Sequence, residues 1–303
     1  TWSFLKGFQT RRRANIQRAF ERSAPCIGRY REIFAAQGLP LELVYLPVIE
    51  SGFRFDATSR ARARGIWQFM ASTARLFGLK VDWVVDERQD PIKSAQAAAS
   101  YLKWLYKEFG DWHLVLVSYN AGPGRVSRAI RKMKSREFAS LVKSKFLKRE
   151  TRNYLPAFMA VLTIVRQPEA FGFSVPQSAP LFPGTHVVDV PSPVSLKSVG
   201  GLCGLSVAAI RELNPELLQD MTPFDRPLYP LRLPVSAPTT GVERLPKLPP
   251  SHLRFSGWYQ VRKGDTLYAI ARKFKTSVDR IRKANRLRGN LLRPGHRLLI
   301  PRH

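Results

Sequence analysis

The sequence predicts an α+β chain of several domains, in which a mainly α-helical domain is followed by two small strand–helix–helix–strand modules. Three observations predict this organisation. Residues 1–174 are rich in helix-forming residues and poor in turn clusters. Two stretches rich in proline and glycine, 175–185 and 235–256, have the composition of linkers. The segments 186–234 and 257–303 repeat one apolar pattern, which indicates two copies of one module.

Two helices of the first domain are marked by their ends or their spacing. Asp90 is the predicted N-cap of one helix and Pro91 its first helical residue, and Gly110 marks its C-terminal end. Between them one face stays apolar, at Ile92, Ala95, Ala98, Ala99, Leu102, Leu105 and Phe109. A second helix is predicted from Glu150 to Val165, with apolar positions at Leu155, Phe158, Met159 and Leu162.

The two modules align without gaps when Leu196 is set against Leu267. The matched pairs are Val199 and Ile270, Ser206 and Ser277, Val207 and Val278, Ile210 and Ile281, and Asn214 and Asn285. Each copy begins with a short apolar strand and ends with another before a proline. The copies differ in charge, because residues 259–303 hold thirteen basic and two acidic side chains, whereas residues 186–234 hold four and five.

The composition is that of a globular protein with an extreme basic balance. Hydrophobic residues make up 44% of the chain, and 50 basic against 22 acidic residues give a formal net charge of +28. Such a surface attracts polyanions, which include nucleic acid, anionic lipid and anionic cell wall. No apolar run approaches the roughly 18 residues of a membrane span, so no transmembrane segment is expected.

Cysteine usage excludes a disulfide framework and a cysteine-rich zinc site, because the chain holds only Cys26 and Cys203. Two separate buried thiols are favoured, and a single bridge between them stays open.

Glu50 is the candidate for acid–base chemistry. It continues an apolar helical face at its C-terminal end, and Pro47 disturbs the helix just before it. The apolar positions of that face are Leu39, Leu43 and Leu46. A carboxyl group on such a face loses hydration, which raises its pKa toward that of a general acid at neutral pH. When Glu50 is considered without the other segments, an ion pair with Arg54 or Arg60 is the favoured interpretation.

Two further segments place polar groups among apolar ones. In residues 65–70 Gln68 lies between Trp67 and Phe69, and residues 118–124 end a hydrophobic run in a glycine-rich turn with Tyr119 and Asn120. Such side chains suit sugar hydroxyl and N-acetyl groups. Each segment alone is typical of a helix start or a helix–helix turn.

In this order the segments resemble the catalytic domain of lytic murein transglycosylases. The motifs are Glu50-Ser51, Gly65-Ile66-Trp67-Gln68-Phe69-Met70, Tyr119-Asn120-Ala121-Gly122-Pro123-Gly124 and Glu150-Thr151-Arg152-Asn153-Tyr154. The resemblance covers about residues 39–165 and implies a lysozyme-like fold for the helical domain. It implies that Glu50 is the single catalytic acid and base and that the Tyr154 hydroxyl approaches its carboxyl group. It implies substrate-binding roles for Ser51, Ser59, Gln68, Tyr119 and Asn120.

A lysozyme of the usual kind needs a second carboxylate. The candidates are Asp56, Asp82, Asp86, Glu87 and Asp90, and none of them lies in a motif that the resemblance marks. The chain departs from the family at Arg54-Phe55, where many members have Asn-Pro, and at Arg62, where they have a small residue. Arg62 and Arg64 are expected to bring charge close to the cleft loop.

Residues 257–303 resemble a LysM domain, a βααβ module that binds glycans containing N-acetylglucosamine. The motif runs Tyr259-Gln260-Val261-Arg262-Lys263-Gly264-Asp265-Thr266-Leu267. The resemblance implies glycan binding by Gly264, Asp265, Thr266, Leu267, Asn290, Leu291 and Leu292. Capping of a helix by Asp265 or Thr266 is an alternative role for the same loop. The copy at 186–234 lacks the Gly-Asp-Thr signature and is interpreted as a degenerate LysM-like module in which sugar binding is not expected.

The sequence therefore predicts an enzyme that cleaves the MurNAc–GlcNAc β-1,4 bond of peptidoglycan glycan strands and leaves 1,6-anhydromuramoyl ends. Three alternatives stay open: a non-catalytic peptidoglycan binder, a hydrolysing muramidase and, below these, a nucleic-acid-binding protein, for which no recognition motif is present. No cofactor and no metal site are expected, and the anionic envelope surface is a further partner. A periplasmic or outer-membrane-associated location is expected from the substrate class alone, and not from a targeting signal in the sequence.

Overall fold

The computed structural model describes residues 1–143, 146–223, 225–247, 255–262, 264–274, 276–285, 287 and 289–301. Residues 248–254 of the predicted linker 235–256 lie outside this part of the chain. The chain divides into two compact units. Unit 1 comprises residues 1–187, 205–220 and 231–237, and unit 2 comprises residues 188–204, 221–230 and 238–303.

Helices make up almost all of the regular structure in residues 1–174. They are α1 (Trp2–Gln9), α2 (Arg13–Ala35), α3 (Leu46–Glu50), α4 (Ala71–Leu76), α5 (Pro91–Phe109), α6 (Trp112–Ala121), α7 (Pro123–Met133), α8 (Phe138–Lys143) and α9 (Arg149–Arg166). The core between them includes the indole of Trp67, which is fully buried and stacks on Phe34 with ring centroids 5.5 Å apart. The predicted mainly helical class is confirmed for this part of the chain.

The two helices predicted from their ends or spacing are present as expected. The Asp90 side chain accepts hydrogen bonds from the backbone N–H groups of Ile92 and Lys93, and Gly110 ends α5 in the left-handed conformation. The segment predicted from Glu150 to Val165 is α9, one residue longer at each end. Local capping chemistry and spacing were sufficient for both helices.

The helix that leads to Glu50 is interrupted, as the position of Pro47 predicts, and the interruption takes the form of a change of helix type. A 3₁₀ turn spans Leu41–Tyr45, and α3 then begins at Leu46 with Pro47 in its first turn. Proline lacks an N–H to donate, so it is accommodated where a helix starts rather than where one continues. The restart places Glu50 at the last position of a five-residue helix.

The repeated modules show the register that the sequence alignment predicts. The middle copy consists of β1 (Thr185–Pro191), α10 (Leu196–Cys203), α11 (Val207–Leu213) and β2 (Leu228–Pro234). The last copy consists of β3 (Phe255–Gln260), α12 (Leu267–Lys273), α13 (Val278–Asn285) and β4 (Arg297–Pro301). In both copies the aligned asparagine donates to the carbonyl four residues earlier at 2.7 Å, Asn214 to Ile210 and Asn285 to Ile281.

The last module has its own small core and sheet. β3 pairs antiparallel with β4, with Tyr259 opposite Leu298. Both helices, β4 and the residue after β3 contribute to its buried core. The buried side chains are Val261, Leu267, Ile270, Ala271, Ile281, Leu298 and Ile300. Strand pairing and helix burial together account for the βααβ order that the pattern predicts.

Within unit 1, the segments 205–220 and 231–237 are attached to the loop that precedes α5 and to its N-cap. The backbone N–H of Leu218 donates to the carbonyl of Val84 at 2.7 Å. Arg232 Nη2 lies 2.6 Å from Asp90 Oδ2, and both side chains are largely buried. Arg232 Nη1 is 3.6 Å from Glu216 Oε2. Part of the middle module is therefore integrated with the helical domain through buried charge.

The predicted linker 175–185 also lies against the helical domain. The backbone N–H of Ala179 donates to the carbonyl of Ala24 at 3.0 Å. Val175 and Leu181 pack against the core. This stretch follows the surface of α2.

Cys26 and Cys203 are both buried and both free, in agreement with the favoured prediction of two separate thiols. Burial raises the pKa of Cys26 to about 12, against a smaller lowering by its hydrogen bond with Tyr30. Among the described residues, every helix is too short or too polar to cross a membrane.

Candidate active site

A cavity of about 1060 Å³ opens on the helical domain and contains the predicted catalytic residues. Its walls come from α1, α2, α3, α6 and α9 and from the loop between α3 and α4. Every residue of the helical domain for which a catalytic or substrate-binding role is predicted lines it: Glu50, Ser51, Ser59, Gln68, Tyr119, Asn120 and Tyr154. Residues separated by more than 100 positions thus meet in one cleft.

Glu50 and Tyr154 form the central contact of this cavity. The Tyr154 hydroxyl donates to Glu50 Oε1 at 2.6 Å, and the carboxyl group is half-buried. α3 brings the carboxyl group to the cavity from its last position, and α9 brings the phenol from its second turn. The distance is in the range of a short hydrogen bond between oxygen atoms.

Burial raises the pKa of Glu50 to about 7, because a carboxylate inside the protein loses hydration. The hydrogen bond from Tyr154 acts in the opposite direction and favours the charged form. Glu150 adds a smaller raising effect through charge repulsion. A carboxyl group with this pKa can hold its proton near neutral pH and also release it, as a general acid and base must.

The loop between α3 and α4 is held by polar contacts of its own residues. The Ser51 hydroxyl donates to the carbonyl of Ile66 at 2.7 Å. Gln68 Nε2 donates to the carbonyls of Ala57 and Gly65, at 3.2 and 2.8 Å. These contacts assign Ser51 and Gln68 a structural task beside the predicted binding of substrate.

Gly65 is at the tightest point of this loop. Its φ is +80°, and a Cβ atom built on it would lie 1.8 Å from the carbonyl oxygen of Arg88. Only glycine permits both the backbone conformation and the close approach. The predicted helix start at residues 65–70 is instead a tight turn, because this conformation is incompatible with a helix.

Tyr119 and Asn120 are fixed by contacts to two other walls of the cavity. The Tyr119 hydroxyl donates to the carbonyl of Trp67 at 2.8 Å. The hydroxyl of Thr151, one turn before Tyr154 on α9, donates to Asn120 Oδ1 at 2.9 Å. Within the part of the chain that the structure describes, the Asn120 Nδ2 group has no hydrogen-bond acceptor, and Asn120 lines the cavity.

Ser59 and the arginines that depart from the family pattern lie at the rim. The Ser59 hydroxyl accepts a hydrogen bond from the Ala63 backbone N–H at 3.0 Å. Arg54 lines the cavity, and its side chain is exposed and pairs with Asp56 at 3.5 Å. Arg62 has φ +65° and is not among the lining residues. The ion pair between Arg54 or Arg60 and Glu50, which is favoured on the residues alone, is not formed.

Of the five carboxylates considered as second catalytic groups, none lines the cavity. Asp86 is paired with Arg88 at 2.7 Å, Glu87 with Lys93 at 2.6 Å, and Asp90 with Arg232. Asp82 accepts hydrogen bonds from the backbone N–H groups of Val84 and Val85. These four carboxylates serve the fold, whereas Asp56 is exposed and pairs with Arg54 at the rim.

Sequence reasoning missed Glu150 as a cavity residue. It precedes Tyr154 by one helical turn on α9, so both side chains fall on one face. That spacing is visible in the motif Glu150–Tyr154 and could have identified it. The wall formed by α1 and α2 had no such signal, because no motif marks residues 1–33.

In the last module the two predicted glycan-binding loops have different exposure. Asp265 Oδ2 accepts hydrogen bonds from the Tyr259 hydroxyl at 2.8 Å and from the Arg262 backbone N–H at 2.6 Å. Thr266 caps α12 and Leu267 is buried in the core, whereas Leu291 is 84% exposed. The capping role of Thr266 that the sequence offered as an alternative is therefore present.

Among the described residues, no group of three or more His, Cys, Asp and Glu side chains is placed to hold a metal ion.

Three family models match the chain. The transglycosylase SLT domain matches residues 34–142, the LysM-like domain of lytic transglycosylase MltD matches residues 184–249, and the LysM domain matches residues 259–301. The helical domain thus matches the SLT domain over residues 34–142, and the two repeated segments match LysM-type domains.

Among curated proteins, the chain is similar to Membrane-bound lytic murein transglycosylase D of Escherichia coli K12. The two are 33% identical over 274 residues, which is 87% of this chain and 60% of that protein. The chain therefore spans about 60% of the length of this relative. It is also 29% identical over 179 residues to Peptidoglycan transglycosylase gp16 of Escherichia phage T7, covering 57% of this chain and 12% of that protein. The solved structure of the soluble lytic transglycosylase SLT70 from Escherichia coli matches 48% of this chain and 24% of that chain, at 23% identity and a TM-score of 0.40.

Proposed function

We propose that this chain is a lytic transglycosylase that cleaves the MurNAc–GlcNAc β-1,4 bond of peptidoglycan and leaves 1,6-anhydromuramoyl ends. The observation that carries the proposal is the contact between Glu50 and Tyr154 in a cleft large enough for a glycan, with the pKa of Glu50 raised to about 7. The SLT match and the similarity to transglycosylase D support it.

In the proposed reaction Glu50 acts twice. Its protonated carboxyl group gives a proton to the glycosidic oxygen, the bond from C1 of MurNAc to that oxygen breaks, and the GlcNAc side leaves with a free 4-hydroxyl group. The resulting carboxylate then removes the proton of the C6 hydroxyl group of the same MurNAc, whose oxygen bonds to C1. The proton returns to Glu50 and no water is consumed, so one carboxyl group is sufficient.

The surrounding residues support this sequence of steps. The Tyr154 hydroxyl favours the carboxylate form and fixes its orientation, which assists the second step. We assign the N–H donors of Asn120 and the side chains of Ser59, Gln68 and Tyr119 to contacts with sugar hydroxyl and N-acetyl groups. Ser51 acts indirectly through the loop that carries Gln68.

A hydrolysing muramidase is the second candidate, because Glu150 is another carboxylate of the same cavity. Hydrolysis needs a base to activate water or a nucleophile to attack C1. Glu150 is exposed and lies on the same helix as Tyr154. The products released by the Glu150→Gln variant test whether Glu150 activates water.

The deciding experiment is digestion of purified peptidoglycan with mass spectrometry of the released muropeptides. We expect anhydro ends from the wild type and from Glu150→Gln, and no release from Glu50→Gln. Reducing ends, which are heavier by one water, would identify hydrolysis instead. Glu150→Gln is the matched control, because it makes the same chemical change within the same cavity. Loss of reducing ends in this variant would assign the water-activating role to Glu150.

We further propose that the last module holds glycan between two loops, formed by Gly264, Asp265, Thr266 and Leu267 and by Asn290, Leu291 and Leu292. The highly exposed Leu291 side chain supports this, because it offers an apolar surface to a sugar ring. In the full chain, Leu291→Ala is expected to weaken retention on insoluble peptidoglycan. Leu228→Ala, at an exposed leucine of the middle module, is the control. Equal retention by both variants would contradict the assignment.

The proposed partners are peptidoglycan strands of GlcNAc and MurNAc, with the anionic envelope surface as a second site of attraction for a chain of charge +28. This substrate class places the proposed site of action in the periplasm or at the outer membrane. The curated relative is itself named as membrane-bound.

A further inference from the structure

One wall of the catalytic cavity is made by residues that precede the SLT match. Phe4 and Phe8 of α1 and a set of polar residues of α2 and its N-terminal boundary line it. The polar set is Arg12, Asn15, Arg18 and Arg22. This wall is part of the same cleft as Glu50, but none of its residues has a role in the reaction described above.

The polar residues of this wall lie along one face of α2. Spacings of three, three and four residues from Arg12 through Asn15 and Arg18 to Arg22 bring successive side chains to the same side of a helix. All four are exposed. The helix therefore presents a row of three guanidinium groups to the open space of the cavity.

These guanidinium groups have no carboxylate partner among the described residues. Arg18 Nη2 donates to Asn15 Oδ1 at 2.6 Å, which orients the guanidinium group, and Arg22 Nη1 approaches the carbonyl of Gly52 at 3.4 Å. The carboxylates that line the cavity are Glu50 and Glu150. Arg54, at the rim, adds a fourth cation to the same cavity.

The sugar backbone of the proposed substrate does not explain this charge. GlcNAc and MurNAc rings offer hydroxyl and amide groups, whereas the short peptide attached to the lactyl group of each MurNAc carries free carboxylates. Guanidinium groups pair with carboxylates through two parallel hydrogen bonds. A row of them beside the cleavage point matches a short acidic peptide that branches from the glycan.

We propose that Arg12, Arg18 and Arg22 form a subsite for the carboxylates of the stem peptide, so that this chain prefers glycan strands that carry peptides over bare strands. This inference rests on the proposed function, because it places the peptide relative to the sugar bond at Glu50. It assigns α2 and its N-terminal boundary a task in substrate selection.

The test compares two substrates, peptidoglycan strands with their peptides and the same strands after an amidase has removed them. The measured quantity is the ratio of kcat/KM for the two. We expect a ratio well above one for the wild type, falling by on the order of tenfold in the variant Arg12→Gln, Arg18→Gln, Arg22→Gln. The control Arg11→Gln, Arg128→Gln, Arg131→Gln removes the same charge at exposed positions outside the cavity and should keep the wild-type ratio.

An equal fall in both triple variants would assign the effect to general attraction by net charge and overturn the proposal. An unchanged ratio in the cleft variant would overturn it as well. Circular dichroism of both variants establishes that the helices are retained. Binding to vesicles of anionic phospholipid is measured in parallel, and its loss in the cleft variant with an unchanged substrate ratio would identify a membrane surface as the occupant instead.

A second measurement separates this inference from the proposed reaction. Binding of a soluble peptide-bearing disaccharide is compared with binding of the bare disaccharide, using the Glu50→Gln protein. Tighter binding of the first, lost in the cleft variant, supports the subsite whatever the chemistry of cleavage. Absence of anhydro products with this binding preference intact would overturn only the proposed reaction. Equal binding of both disaccharides would overturn the subsite.

Discussion

The hydroxyl group of Tyr154 donates a hydrogen bond to Glu50 Oε1 at 2.6 Å, across a sequence separation of 104 residues. This bond favours the charged form of the carboxyl group, while burial of Glu50 favours the neutral form. The two effects together place the pKa of Glu50 at about 7, where the group can exchange a proton in both directions.

Tyr154→Phe removes this hydrogen bond and keeps the ring. We expect kcat to fall by roughly tenfold or more, since a hydrogen bond to a charged group is lost. The pKa of Glu50 should rise further, so the descending limb of the pH–rate profile should move to higher pH. The profile on purified peptidoglycan checks both effects, with Tyr106→Phe at an exposed phenol as the control. A limb that moved to lower pH would contradict the assigned role of the hydroxyl.

Glu50→Gln should stabilise the protein at alkaline pH while abolishing activity. The folded-state pKa of Glu50 is raised from 4.5 to about 7, so the folded protein binds more protons than the unfolded chain between these values. The wild type therefore loses stability as pH rises through this window, and the glutamine variant lacks that loss. The difference in unfolding free energy should grow to about 3 kcal/mol above pH 7.

Urea unfolding of the wild type and Glu50→Gln at several pH values between 4 and 9 measures this difference. Glu108→Gln, at an exposed side chain of α5, is the matched variant. If the advantage of Glu50→Gln were the same at every pH, ionisation of Glu50 would not be its cause.

Gly65→Ala should damage both stability and activity. The added methyl group would meet the carbonyl oxygen of Arg88, and φ is +80°, so the loop must move at a cost of about 3 kcal/mol. Gly78→Ala is the control, because its φ is +85° but no atom lies within 4 Å of the added carbon. It should cost about 1 kcal/mol. Thermal unfolding and digestion assays check both variants, and equal costs would show that contact with Arg88 is unimportant.

Arg232→Ala should destabilise unit 1 by about 3–5 kcal/mol, because it leaves the buried carboxylate of Asp90 without its cation. Arg211→Ala breaks an exposed pair with Asp220 and should cost less than about 1 kcal/mol. Denaturant unfolding monitored by helix content tests whether the loss is felt in the helical domain. A small loss of stability that left the helical domain unaffected would contradict the integration of the Arg232 segment with that domain.

The sequence predicts those parts of the molecule whose causes are local. The ends of α5 follow from Asp90 and Gly110, and the repeat register follows from apolar spacing within each copy. The restart of the helix at Leu46 escaped prediction in detail, because spacing alone does not distinguish a 3₁₀ turn from an α-helix.

In the candidate site, too, some features are indicated by the sequence and others depend on tertiary contacts. Motif order indicated Glu50 and Tyr154, but periodicity contains no information about their distance of 2.6 Å. The pairing of Asp90 with Arg232 and the arginine wall of α2 depend on chain segments meeting in space. Such meetings are tertiary, so no window of the sequence reports them.

The burial of Cys26 and Cys203 has a consequence for where such a protein can operate. A thiol reacts with oxidants as its thiolate, and a side chain without exposure and with its pKa raised to about 12 forms almost none. The Cys26 thiol is therefore unreactive toward oxidants in the folded chain, and burial shields the Cys203 thiol from them. An envelope compartment that makes disulfides would leave both sulfur atoms unpaired, so the protein needs no reductant to persist there.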